Sequence, residues 1–343
     1  MMTYMYFFFF NILLYIYDLG IKEYYKKESK ILKKIAILMA FLFLVLRFGN
    51  GWDYMAYYNT IFYNLHTNIV DRGEFLTVFL VEISKKFQIP FLFFFVNSII
   101  QLYCVSKTIF KYSESFWVSF FFYISFPLFF LNSFSVIRMF TAVALIFFGY
   151  HFLEEKKTLK YLCLVIIASG FHQSALLALF FLAIPYIKKI NVAFYLLGIP
   201  IIRFIAYEIA NWKFNEYLVY FNNTNVEEGT KAIYVFMFIY LLCIFFFNKI
   251  KENNKLLLQV NIFSIGFVIY CSFLGMGTLS HRLSLFGTIF SVLLVATFFE
   301  MVPKKYKKIL MLLYLFICVV MFIYTLNAGR ETYIPYKTIF STS

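Results

Sequence analysis

The chain of 343 residues is 63% hydrophobic and 14% charged, with 31 Lys and Arg against 17 Asp and Glu for a formal net charge of +14. Too few polar side chains remain to cover a water-facing fold, so the composition excludes an ordinary soluble domain and identifies a polytopic membrane protein. The excess positive charge is mostly Lys in short loops between apolar runs, which reports topology and not nucleic-acid binding.

A hydrocarbon core of ~30 Å takes ~20 residues of helix, and nearly the whole chain divides into pieces of about that length separated by short polar breaks. Runs such as FLFFFVNSIIQLYCVSKTIF are apolar throughout, unlike the alternating segments of a β-barrel. The expectation is an all-α, polytopic helical integral membrane protein forming a single transmembrane domain over residues 1–343. The opening MMTYMYFFFFNILLYIYDLG has neither a basic start nor a small-residue cleavage site and reads as a retained helix.

Lysine clusters at 22–34, 107–111, 156–160, 188–189, 249–255 and 304–308 go to the cytoplasmic side under the positive-inside rule. That choice gives about twelve helices, each near the ~20 residues of a span, with both termini outside. They run over 2–18, 32–47, 89–110, 116–133, 136–153, 158–172, 173–187, 190–206, 232–248, 256–279, 283–302 and 309–326. Residues 73–86, GEFLTVFLVEISKK, have too short an apolar part to span and are expected as an amphipathic helix on the outer surface. Outer loops then cover about 48–88 and 207–231, with an outer tail at 327–343. Cys104, Cys163, Cys243, Cys271 and Cys318 stand singly in apolar runs, without metal or disulfide spacing, and read as packing residues. Walker, GxGxxG, HExxH and GxSxG motifs are missing, which leaves nucleotide, dinucleotide and zinc-protease readings unsupported.

The orientation collects the chemically distinctive residues on one side. Arg47, Trp52, Asp53, Tyr54 and Tyr58 open the first outer loop within RFGNGWDYMAYY. Arg138 follows the turn NSFSVI, His172 lies in SGFHQS, and His281 with Arg282 lies in GTLSHRLS. An Arg at a helix end often only snorkels to the headgroups. However, the inner-face basic residues are all Lys, whereas Arg47, Arg138 and Arg282 each mark an outer helix end, and a planar guanidinium grips phosphate oxygens bidentately. Those three are candidates for a pyrophosphate ligand. Asp53 after Gly-Asn-Gly either caps a turn in water or aims its carboxylate back toward the membrane. Tyr54, Tyr58 and Trp52 suit either the interfacial aromatic belt or a sugar ring. His172 at a helix break is a candidate acid or base, with His281 ranked after it. His66 and His151 are given no role.

LRFGNGWDYMAYY, the block SVIRMFTAVALIFFGYHFLEEKKTLKYLCLVIIASGFHQSALLAL, the Arg282 turn and the terminal IPYKTIF together resemble the EpsG family of exopolysaccharide proteins. That family is similar to the Wzy-type O-antigen polymerases. The 207–231 loop is shorter than the large outer loop common in that class. The resemblance implies a membrane glycosyltransferase of the bacterial inner membrane, with its site facing the periplasm or cell exterior and no cofactor or metal. Such an enzyme polymerises undecaprenyl-pyrophosphate-linked oligosaccharide repeat units of O-antigen, lipopolysaccharide or exopolysaccharide, moving the growing glycan to the next lipid-linked unit. Its implied partners are those lipid-linked oligosaccharides, membrane lipids and a chain-length regulator protein. Under this reading Arg138 and Arg282, with Arg47 behind them, hold the pyrophosphate, and Asp53 or His172 is the base. Two rivals are a flippase for the same lipid-linked sugar, which needs polar groups through the bilayer, and a membrane O-acyltransferase, which needs its His on the cytoplasmic side.

Overall fold

The computed structural model describes residues 1–65, 73–187, 189–213, 218, 221 and 231–340. Most of the expected 207–231 loop, and His66, lie outside the described residues. Among them the regular structure is helical, apart from one antiparallel bridge between Arg47 and Thr338. In chain order the helices are α1 (Met2–Tyr25), α2 (Lys30–Val45), α3 (Tyr54–Phe62), α4 (Phe75–Lys86), α5 (Pro90–Tyr112), α6 (Phe116–Ser125), α7 (Asn132–Ser135), α8 (Ile137–Glu154) and α9 (Thr158–Phe171). Two 3₁₀ segments follow, Gln173–Tyr186 and Val192–Leu197. After them come α10 (Gly198–Lys213), α11 (Ala232–Phe245), α12 (Phe247–Ile250), α13 (Asn254–Ser272), α14 (Thr278–Thr288), α15 (Ser291–Glu300), α16 (Lys304–Ala328) and α17 (Arg330–Tyr333).

The chain is an all-α polytopic membrane protein. Each expected span falls on helical structure, but by length and composition six helices suffice to cross a membrane, or seven if α14 and α15, bent by 55°, form one span. Twelve crossings therefore exceed what helix length alone supports. The Gln173–Tyr186 segment shows why counting residues is an incomplete guide. Its 14 residues at the ~2.0 Å rise of a 3₁₀ helix extend about 28 Å, against about 21 Å had they been α-helical. Helix α4 is not among the apolar helices and packs against α5, α9 and α3.

Local signals set the boundaries. Ser29 caps α2 by accepting the Leu32 N–H, and Asn253 caps α13 by accepting from Lys255 and Leu256. Pro90 opens α5 at a position where a missing N–H costs nothing. The interior is organised on α8 and α13, whose apolar windows are 72% and 78% buried, whereas that of the 192–213 helix is 6% buried and left to lipid. α13 and α14 meet backbone to backbone: a Cβ on Gly287 would lie 2.6 Å from the Ile262 carbonyl oxygen and 2.7 Å from the Gly266 Cα. Small residues permit such contact between helices in lipid, where van der Waals packing replaces the hydrophobic effect as the cause of association.

The two ends of the bundle differ in chemistry. At one end Lys255 pairs with Glu154 at 2.7 Å and Lys111 with Glu155 at 3.9 Å, joining the end of α8 to the start of α13 and the end of α5, and Lys308 pairs with Glu23 at 3.5 Å, joining the start of α16 to the end of α1. Near that end Asp18, 2% exposed, accepts hydrogen bonds from Ser29 N–H at 2.5 Å and Trp117 Nε1–H at 2.6 Å, tying α1 to α2 and α6. The opposite end carries α3, α4, the C-terminal tail and the Arg138, His172 and Arg282 turns.

Candidate functional site

At that second end the Gly49–Asn50–Gly51 turn fixes where Asp53 stands. Both glycines have positive φ, +72° and +112°, and a Cβ on Gly51 would sit 2.0 Å from the Phe134 carbonyl oxygen. Between them Asn50 donates to the Tyr333 and Pro335 carbonyls at 2.8 and 2.9 Å and accepts the Lys337 N–H at 3.0 Å. The tail is thereby stitched across the first loop, with Phe48 N–H donating to Lys337 O at 2.8 Å and Ile339 N–H to Leu46 O at 3.0 Å.

Arg47 is the clamp of this arrangement. It is 1% exposed and donates to the carbonyls of Leu44, Asn50 and Phe134, with its guanidinium 4.6 Å from the Phe134 ring centroid. Tyr54 is equally enclosed, stacked on Phe94 at 3.9 Å, and Tyr57 stacks on Phe93 at 4.7 Å, so the face of α3 carrying both belongs to a second small core. Tyr58 is half-buried against Phe48, and Trp52 projects with 71% of its surface exposed. Of the loop residues expected to meet substrate, Trp52, Asp53 and part of Tyr58 reach the surface; Arg47 and Tyr54 face protein.

Asp53 precedes α3, yet its side chain makes no capping bond. Burial pushes its carboxyl above the ordinary value, opposed by the positive charges of Arg282 and then Arg138. Three residues from distant parts of the chain thus share one electrostatic environment. Arg138 is itself held by an ion pair with Glu74 and lies 5.6 Å from the Tyr57 ring centroid. The Glu74 side chain is 4% exposed and that of Arg138 13%, so the pair is shielded from water. The Arg282 side chain is exposed and makes no hydrogen bond or ion pair among the described residues. Its helix α14 packs against α8 and the Gln173–Tyr186 segment. His281, beside it, is half-buried with Nδ1 3.4 Å from Ser280 Oγ.

The α9 turn reaches the same region through α4. Thr77 Oγ1 donates to the Phe171 carbonyl at 3.0 Å, and a Cβ on Gly73 would meet Gln173 Nε2 at 2.9 Å. His172 Nδ1 accepts the Ser174 N–H at 3.3 Å and lies 2.6 Å from Ser174 Oγ. Because a backbone N–H can only donate, Nδ1 is the acceptor and the neutral ring carries its proton on Nε2.

The model of the EpsG family aligns with residues 30–338 of the chain. The chain belongs to the EpsG family. No curated protein and no solved structure matches it. The aligned region of this EpsG-family protein contains every candidate residue, from Arg47 to Arg282, and most of the tail that closes over the first loop. Membership points to a polysaccharide-polymerase type of function in a multi-pass membrane protein.

Glu74 is the residue that reading the sequence passed over. Its only local sign is an acid just ahead of the apolar run of α4, while its partner is 64 positions away.

Proposed function

We propose that this EpsG-family protein is a membrane glycosyltransferase that polymerises undecaprenyl-pyrophosphate-linked repeat units at the outer face of the bacterial inner membrane. The observation that carries the proposal is the EpsG-family match over residues 30–338, with Asp53 near the positive charges of Arg282 and Arg138 as its support. In the reaction a hydroxyl oxygen at the non-reducing end of the acceptor attacks the anomeric carbon of the donor glycan. The new C–O bond forms as the bond to the pyrophosphate oxygen breaks, and the hydroxyl proton passes to Asp53. Charge developing on the departing undecaprenyl pyrophosphate is met by Arg282 and by the donors of Arg138 not engaged with Glu74, the kind of preorganised stabilisation that dominates such steps.

His172 acts here as a positioning residue that fixes the turn after α9 through its Nδ1, and Asp53 is the base. Exposed Trp52, with the open part of Tyr58, offers an apolar ring for a sugar face. Arg47 and Tyr54 act as positioning residues that hold the turn before Asp53, and His281 backs Arg282.

The test is Asp53→Asn in a strain lacking the chromosomal copy. The expected result is normal membrane insertion, abundant lipid-linked single units and no extended polysaccharide. Wild-type chain lengths in that strain would refute the assignment of the base, and repeat units trapped on the cytoplasmic leaflet after deletion would favour the flippase.

A further inference from the structure

At the lysine-rich end, opposite the candidate catalytic site, the end of α8, the end of the Gln173–Tyr186 segment and the start of α13 enclose a cavity of about 390 Å³. That volume lies within the ~300–1,000 Å³ of small-ligand pockets. Its rim carries Lys156, Lys189 and Lys255 against one acid, Glu154, which is paired with Lys255 at 2.7 Å. Two lysines remain without an acidic partner there among the described residues. Leu153, Ile184, Leu257 and Leu258 form the apolar wall.

Asn261 breaks that wall. It lines the cavity, is 3% exposed, and its Oδ1 has no hydrogen-bond partner among the described residues. A buried amide oxygen left unpaired costs ~1–3 kcal/mol, so the position is a strained one unless something donates to it. It lies seven residues into α13 from Asn254, about 10 Å along the axis at ~1.5 Å per residue, beneath the lysine rim. Beside the opening, Tyr186 and Ile190 expose apolar surface to lipid.

We propose that this cavity binds a phosphodiester whose headgroup carries hydroxyl donors, that is, an anionic glycerophospholipid of the phosphatidylglycerol type. The headgroup enters with its glycerol first, donating a hydroxyl to Asn261 Oδ1. The phosphate stops at Lys156, Lys189 and Lys255, and the acyl chains lie over Tyr186. The rim faces the membrane side on which lysine clusters meet anionic headgroups, each worth ~1 kcal/mol. This site is independent of the polymerase reading and makes no use of its residues.

The experiment measures binding of short-chain phosphatidylglycerol, phosphatidic acid and phosphatidylcholine, and of soluble glycerol phosphate, to the purified full-length protein in detergent. Phosphatidylglycerol is expected to bind about tenfold or more tighter than phosphatidylcholine, a difference of ~1.4 kcal/mol. Phosphatidic acid, which lacks the headgroup hydroxyls, should fall between them. Asn261→Leu should bring phosphatidylglycerol down to the phosphatidic acid level, and Lys156→Gln or Lys189→Gln should each weaken both by about fivefold. Both lysines are exposed, so their variants test the site even if Asn261→Leu fails to fold. Glycerol phosphate binding as tightly as the lipid would assign the same headgroup chemistry to a soluble source. Equal binding of phosphatidylcholine, or phosphatidylglycerol binding unchanged in the lysine variants, would overturn the proposal.

Discussion

Gly51→Ala tests whether the loop geometry, and not merely the presence of Asp53, makes the site. The added Cβ would lie 2.0 Å from the Phe134 carbonyl oxygen and 2.5 Å from its carbon, whereas real Cβ contacts essentially never fall under 3.0 Å. The turn or the segment ahead of α8 must therefore move by about 1 Å, and the neighbour is backbone, which cannot swing aside as a flexible side chain would. Overpacking of this kind costs ~1–3 kcal/mol, and the φ of +112° adds strain for any residue with a Cβ. Asp53 follows two residues later, and a ~1 Å misplacement of a catalytic group costs about 100-fold in rate. Gly49→Ala is the matched control. Its φ is also positive, +72°, but the nearest atom to its Cβ is Met55 Sδ at 3.7 Å, so it should lose only about 1 kcal/mol of stability. The assay is polysaccharide chain length in a deletion strain together with the amount of inserted protein. Gly51→Ala should abolish long chains at near-normal protein level while Gly49→Ala retains them. Equal effects of the two, or long chains in Gly51→Ala, would refute the reasoning.

Because burial raises the Asp53 carboxyl above its ordinary value, polymerisation should fall on acidification along a limb above the usual carboxylate range of ~4. Arg282→Gln removes the larger of the two opposing cations and should shift that limb in the residual activity to higher pH; an unmoved limb would detach Asp53 from the reaction. The stability contribution has the opposite sense: a raised folded-state carboxyl favours the fold below its unfolded value, and that part is lost as pH rises through the folded one. Glu74→Ala leaves Arg138 without its shielded carboxylate and should cost ~3–5 kcal/mol in unfolding measurements, with Glu74→Gln milder; a thermal midpoint unchanged in both would show that the pair carries no stability. Gly266→Ala inserts a Cβ 2.5 Å from the Thr288 nitrogen and should separate α13 from α14 and impair activity through Arg282, read as a lower thermal midpoint with shortened chains; wild-type values for both would refute the contact.

The helices are legible in the chain itself. Apolar runs, lysine-rich breaks and caps such as Ser29 and Asn253 are local features, and the structure puts helix on each run they delimit. The Gly-Asn-Gly turn and the FHQS break were legible for the same reason: glycine spacing and an interrupted apolar run act within a few residues. The 3₁₀ geometry of Gln173–Tyr186 was not, because its 14 residues are as apolar as an α-helical run and hydropathy does not record hydrogen-bond register.

For the candidate site, sequence named Asp53, Arg138, His172 and Arg282 from residue type and from one consistent membrane side. Tertiary packing decided what each of them and their neighbours can do. A guanidinium takes the partners it is packed against, so Arg47 is spent on the carbonyls of Leu44, Asn50 and Phe134, whereas Arg282 is left exposed. Tyr54 and Tyr57 turn inward because α3 lays one face on Phe93 and Phe94, and the Nδ1 of His172 is taken up by a backbone N–H two residues on. Glu74 acquires its role only when α4 folds against α5 and α9 and its N-terminal end meets Arg138 at the start of α8. Hydropathy is a property of each segment and survives in the sequence; the pairing of a charge with its partner depends on distances that exist only once the helices are packed.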